Sequence, residues 1–121
     1  MGMKILIVDD ALFMRNVIRK NLEECGYRET MEAADGKEAL ELYRKWQPDL
    51  VLLDITMPGI SGLEVLEQLR RESPEARVIM CSAVGQDQMI ANALKLGAFD
   101  FIVKPFKKEE FKKIIENAIT T

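Results

Sequence analysis

Two periodicities alternate along this chain, and that alternation constrains its fold more than any other feature. Short runs of strand character occur at "ILIV" (5–8), "YRETME" (27–32), "LVLL" (50–53), "VIMC" (78–81) and "FIV" (101–103). Each is followed by a segment whose apolar residues recur every three or four positions. The stripes are Met14, Val17, Ile18, Leu22 and Cys25; Ala39, Leu40, Tyr43 and Trp46; Leu63, Leu66 and Leu69; Met89, Ile90, Ala93 and Leu94; and Phe111, Ile114, Ile115 and Ala118. Strands separated by helices pair in parallel, and a parallel sheet is covered on both faces. Four of the runs are continuously apolar, as strands buried on both faces must be. "YRETME" alternates polar and apolar, so it belongs at an edge. With right-handed crossovers the pattern predicts an α/β fold, (βα)5, a doubly wound parallel five-stranded sheet of order 2-1-3-4-5. With 121 residues, the chain is expected to form a single domain over 1–121.

The punctuation agrees. Asp35 with Glu38, and Ser61 with Glu64, have capping-box spacing at helix starts. Gly26 and Gly97 fall just past helix ends, and Pro48, Pro74 and Pro105 fall between elements.

Composition removes whole classes of function. The chain has no histidine. Ser-His-Asp and Cys-His catalysis, His-bearing zinc sites and an imidazole pH switch are therefore excluded. Cys25 and Cys81 form no CxxC pair and read as buried free thiols. A net charge of −3 offers no general attraction to nucleic acid or anionic lipid. No apolar run approaches the ~20 residues of a membrane span, and the first residues lack a signal-peptide pattern. The cytoplasm is the expected compartment, with no nucleic acid and no membrane among the partners.

In such sheets the ligand lies outside the carboxyl ends of the strands, at the switch point between strands 1 and 3. After strand 1 come Asp9 and Asp10, after strand 3 Asp54, after strand 4 Ser82 and after strand 5 Lys104. Two like charges about 5 Å apart at an effective dielectric of ~20 repel by roughly 3 kcal/mol. Three carboxylates in one crevice thus need a cation or a proton, and Lys104 offsets only part of the repulsion. All the donors are hard oxygens, which favours Mg2+ over zinc or copper. Taken singly, these residues have plainer readings: an Asx turn and helix cap for Asp9 and Asp10, a loop cap for Asp54, a turn residue for Ser82 and a surface charge for Lys104. A dinucleotide or P-loop site is disfavoured, because neither GxGxxG nor GxxxxGK[ST] occurs and two aspartates stand where phosphate would dock.

"VDD", "LLDITMPGISG", "CSAVGQ" and "FIVKPF" together resemble the receiver domain of two-component response regulators, over essentially the whole chain and closest to its single-domain chemotaxis members. The resemblance implies a flavodoxin-like fold with Asp54 as phosphoacceptor. Asp9, Asp10, Asp54 and the backbone carbonyl of Thr56 would hold Mg2+. Ser82 and Lys104 would engage the phosphoryl oxygens, and Ser82 and Phe101 would form the switch pair. Lys104–Pro105 would be a cis peptide. Thr56 and Val84 fall where the family tunes phosphoryl lifetime. The implied partners are a sensor histidine kinase, an output protein such as the flagellar motor switch, and a phosphatase; the chain is expected to be monomeric. The face of helix 4, strand 5 and helix 5 would read out the state, with Phe99, Lys95, Lys107 and Lys108 as candidate contacts.

Two other readings stay open at this point. A receiver cut from a longer regulator with a DNA-binding or enzymatic output domain would read alike, although a stop at "NAITT" directly after the last helix is what a stand-alone protein would show. A haloacid-dehalogenase-like phosphatase also uses an Asp nucleophile with Mg2+. It needs a second Asp two residues on, where this chain has Thr56. The expected role is accordingly a switch that assists its own phosphorylation and dephosphorylation rather than an enzyme.

Overall fold

A computed structural model describes residues 2–120; the last residue of "NAITT", Thr121, lies outside them. Strands and helices alternate as β1 (Lys4–Val8), α1 (Leu12–Glu24), β2 (Glu29–Ala33), α2 (Gly36–Trp46), β3 (Leu50–Asp54), α3 (Gly62–Glu72), β4 (Val78–Ala83), α4 (Asp87–Lys95), β5 (Asp100–Lys104) and α5 (Lys108–Thr120). All four strand pairings are parallel, in the order β2-β1-β3-β4-β5. Five parallel strands with five helices make the flavodoxin-like architecture the sequence predicts.

Each strand supplies alternate residues to the two faces. On one face Ile5, Ile7, Leu50, Leu52, Ile79, Cys81 and Ile102 pack against Ile18 and Leu22 of α1 and Phe111 and Ile115 of α5. On the other, Leu6, Val8, Val51, Leu53, Val78 and Met80 pack against α2, α3 and α4 through Leu40, Leu66, Leu69, Ile90 and Ala93. The edge strand β2 is mostly exposed or half-buried, as its alternation requires.

Strand bounds and helix burial differ in places from the sequence expectation. β2 begins at Glu29 rather than Tyr27, because Gly26 turns the chain with φ +95° and the Tyr27 N–H returns to the Leu22 carbonyl. Asp54, Ser82 and Lys104 lie within the last residues of their strands, not beyond them, since sheet pairing persists to those positions. In α4, Met89 and Leu94 remain exposed and only Ile90 and Ala93 are buried, because the helix touches the sheet along a narrower stripe than its apolar pattern suggests. In α3, Val65 joins Leu66 and Leu69 inside while Leu63 is half-buried.

Helix starts follow their caps. Ser61 and Glu64 form the complete capping box. Asp35 accepts from the Glu38 N–H, but Glu38 reaches back one residue further, to the Ala34 N–H. Gly62 opens α3 under a steric demand: its N–H donates to the Ile55 carbonyl at 2.8 Å, and a Cβ there would overlap the Asp54 carbonyl oxygen. The end of β3 and the start of α3 can approach this closely only because residue 62 has no side chain.

Candidate functional site: an acidic pocket at the carboxyl edge

Register brings the predicted residues together. Val8 pairs with Leu53, so Asp9 and Asp54, one position further on, stand side by side. Asp54 in turn pairs with Cys81, and Lys104 with Ala83. Oxygens of Asp9, Asp10 and Asp54 lie within 4.8 Å of one another. Asp9 and Asp54 are buried, 1 % and 7 % exposed, while Asp10 is exposed.

Lys104 serves two carboxylates at once. Its Nζ donates to Asp9 Oδ2 at 3.2 Å and to Asp54 Oδ1 at 3.3 Å. Burial works against the ammonium, but the charges of Asp54 and Asp9 outweigh it, and the Lys104 pKa rises. The Asp54 carboxyl is pushed above its ordinary range, chiefly by burial, with Asp9 adding to the shift and Lys104 opposing it. Three carboxylates against one ammonium leave the pocket short of positive charge. The donor set suits a small hard cation: carboxylate oxygens with no imidazole anywhere in the chain. The nearby Cys81 thiol is no competitor, because burial pushes its pKa up to about 12. The residues therefore fit Mg2+.

Strand parity sorts the site into two faces. Asp54 follows Leu50 and Leu52, Lys104 follows Ile102, and Asp9 follows Ile5 and Ile7, so the three charges project from the α1/α5 face. Ser82 follows Val78 and Met80 and shares the opposite face with Phe101 and Val103. Its hydroxyl is fully buried and is the one such side-chain atom without a hydrogen-bond partner among the described residues. Directly across from Ser82 stands Val103; Phe101, half-buried, pairs with Met80 and is the diagonal neighbour.

The plainer role for Asp9 is also present: its Oδ1 accepts the Ala11 N–H at 2.9 Å in an Asx turn. One oxygen thus builds the turn and the other meets Lys104. Ala11, not Asp10, occupies the N-cap position of α1, and no side chain caps that helix start. Lys104–Pro105 is cis. On the expected output face, Lys108 is paired with Glu24 of α1, and Phe99 is packed into the α1/α5 cluster with Arg77 over its ring at 4.9 Å. Lys95 and Lys107 are exposed there.

Two supporting residues had no separate signal in the sequence. Arg15, one turn into α1, donates to the Asp9 carbonyl at 2.7 Å and is itself held by Glu32 of β2 at 3.0 Å. Gln86 reaches the Thr56 hydroxyl, so Thr56 has a side-chain contact as well as the carbonyl expected of it. Among the described residues, no helix is long and apolar enough to cross a membrane.

The response regulator receiver domain model matches residues 5–116. A chemotaxis protein CheY of Listeria monocytogenes is 47 % identical over 116 residues, covering 96 % of this chain and 98 % of that protein. Protein CcdB of Bacillus subtilis is 46 % identical over 116 residues, covering 96 % of this chain and 97 % of that protein. Among solved structures, the receiver domain of NtrX from Brucella abortus superposes with a TM-score of 0.92 at 36 % identity, covering 97 % of this chain and 98 % of that one.

Proposed function

Since this chain belongs to the response regulator receiver domain family, we propose that residues 1–121 act as one phosphorylation-controlled signalling switch with Asp54 as the acceptor. The observation that carries this reading is the shared Lys104 bond to Asp9 and Asp54, beside a buried Ser82 hydroxyl that has no partner.

An Asp54 oxygen attacks phosphorus, an O–P bond forms, and the P–N bond of a phosphohistidine breaks, leaving the imidazole on the donor. With no histidine in this chain, the donor is another protein, a sensor histidine kinase. Lys104 stays close enough to Asp54 to pair with the phosphoryl oxygens and stabilise the charge that builds there. Asp9, Asp10, Asp54 and the Thr56 carbonyl would hold Mg2+, which when bound neutralises phosphoryl charge and orients the group for in-line transfer. Asp9 is kept in place by the Ala11 N–H and by Arg15 on its own carbonyl.

Ser82 and Phe101 make the switch. A phosphoryl oxygen on Asp54 offers the Ser82 hydroxyl the bond it lacks, and the chain after β4 shifts toward the acceptor. The space left behind is filled by Val103 and Phe101, which share the Ser82 face. The affinity of the α4–β5–α5 face for an output protein then changes. Relatives of nearly equal identity carry different names, one of them a chemotaxis protein. We assign the output to chemotaxis, with the flagellar motor switch as partner and a phosphatase to reset it.

Acetyl phosphate labelling in Mg2+ tests the acceptor. Acid-stable, alkali-labile phosphate should appear on Asp54 in the wild type; phosphate mapped to another residue would refute the assignment. Pull-down with beryllofluoride and Mg2+ tests the output, with recovery of a flagellar switch component expected.

A further inference from the structure

We propose that Gln86 is a latch that ties the start of α4 to the acceptor loop in the resting protein, and that releasing it is a step of the switch; this rests on the reading of Asp54 as acceptor. The Gln86 amide is engaged at both ends. Its Oε1 accepts the Ala83 N–H at 2.6 Å, and its Nε2 donates to the Thr56 hydroxyl at 2.7 Å. Ala83 immediately follows Ser82, and Thr56 lies two residues beyond Asp54. The Gln86 backbone carbonyl accepts the Ile90 N–H at 3.0 Å, so the same residue begins the hydrogen-bond ladder of α4. One side chain thus joins the acceptor loop, the residue beside the switch serine and the helix of the output face.

Little else restrains this loop. Val84 is 79 % exposed, and Gly85, at φ +92°, has open space around it. Ser82 and the acceptor carboxylate project from opposite faces of the sheet. A Ser82 hydroxyl can reach a phosphoryl oxygen on Asp54 only if the chain after it moves, and the Ala83 N–H moves with it. The two ends of the Gln86 amide are a fixed distance apart and together set the spacing between Ala83 and Thr56. The amide cannot keep both bonds through that displacement. Breaking the latch therefore costs part of what the phosphoryl contacts supply, and frees the first turn of α4.

The test is a 19F NMR titration with beryllofluoride and Mg2+. Saturable binding by the wild type comes first; without it the acceptor reading falls and the latch falls with it. Given that binding, Gln86→Ala and Thr56→Val should each tighten beryllofluoride about three- to tenfold, the size of one or two net hydrogen bonds. The double variant should do no better than the tighter single, because the one contact that Thr56→Val removes is already absent in Gln86→Ala. Amide exchange over 87–95 should be faster in each unliganded variant. Circular dichroism melting establishes that the variants are folded. A Gln86 of purely structural importance would lower the melting temperature and leave the affinity within twofold of wild type. That result, weaker binding by Gln86→Ala, or additive effects in the double variant would each overturn the latch while leaving the acceptor reading intact.

Discussion

On the α1/α5 face of the carboxyl edge stand Asp9, Asp54 and Lys104; on the α2–α4 face of the same edge stand Ser82, Val103 and Phe101. The first set is crowded with charge. Two buried carboxylates share one ammonium, a third lies within reach, and burial holds Asp54 above its ordinary pKa. The second set is short of contacts: a buried hydroxyl has no partner, and its neighbours are only half-buried. Both conditions are unfavourable for folding. Under the proposed function a divalent cation would answer the first, by neutralising the carboxylates, and a phosphoryl oxygen on Asp54 would answer the second, by giving the Ser82 hydroxyl an acceptor. The proposed switch would draw on both: a resting arrangement with an unmet charge and an unmet hydrogen bond is one that a ligand can shift.

The largest effect expected is loss of phosphate uptake in Asp54→Asn with Mg2+ and acetyl phosphate. Ser82→Ala should still label, because Ser82 lies on the other face. What that variant should lose is transmission. In amide NMR with beryllofluoride and Mg2+, wild-type shifts should spread from residues 82–90 to 99–108, and in Ser82→Ala they should stay near 9, 10 and 54. Ser82 offers about one charge-assisted hydrogen bond, on the order of 2 kcal/mol, or roughly a thirtyfold shift in population. Far shifts of undiminished size would mean that the two faces are coupled by another route.

A second test concerns stability without metal. Removing the Asp54 charge relieves repulsion with Asp9 and leaves Lys104 paired with Asp9. In EDTA, Asp54→Asn should be roughly 1–3 kcal/mol more stable by denaturant unfolding, a share of the single-pair repulsion at an effective dielectric near 20. Asp10, being exposed, should give a smaller gain. An unchanged or lower midpoint for Asp54→Asn would show that Lys104 already balances the pocket. The α2–α4 face calls for a smaller change of the same sign. Replacing the unpartnered Ser82 hydroxyl by Ala removes a buried polar group without breaking a bond, so Ser82→Ala should gain about 0.5–1 kcal/mol. Destabilisation by that substitution would reveal a partner for Ser82 in solution.

How much of this was legible beforehand follows from which features are local. Strand and helix periods are local, so ten elements and the sheet order could be read from apolar spacing. The start of β2 could not, because Tyr27 reads as a strand residue but packs onto the α1/α5 cluster once Gly26 turns the chain. Met89 and Leu94 look like core on a helical wheel; their exposure depends on how α4 lies on the sheet. The acidic site was legible because topology places strand ends together, and one residue per strand suffices to find it. Its division into two faces needs the registers of four strands at once. Gln86 and Arg15 each join a nearby partner to one 30 or 17 positions away, and that longer relation is one no local pattern carries. Gly62 could have been suspected from its place directly after the capping Ser61, at the start of a helix that follows β3 closely.

The smallest effect comes from a charge pair outside the pocket, and its sign is the sharper test. Arg44 of α2 and Glu72 of α3 form a two-pronged bridge, Nε to Oε1 at 3.0 Å and Nη2 to Oε2 at 2.8 Å, with Gln68 also donating to Glu72. These bonds, that to Arg44 first, lower the Glu72 pKa to about 2. A carboxyl with a depressed folded pKa adds stability above its ordinary range and loses it as the pH falls through the depressed value. Glu72→Gln should therefore melt slightly below wild type at neutral pH, and the two proteins should converge as the pH falls from about 4.5 toward about 2. The bridge is on the surface, so the difference should be smaller than the Asp54→Asn gain and should shrink further in high salt. Asp54→Asn should move the other way at neutral pH. Both substitutions remove one negative charge from a chain of net charge −3, so a general charge effect would shift both in the same direction. Opposite signs would show that the strain belongs to the α1/α5 side of the pocket; equal signs would reduce it to the net charge of the chain.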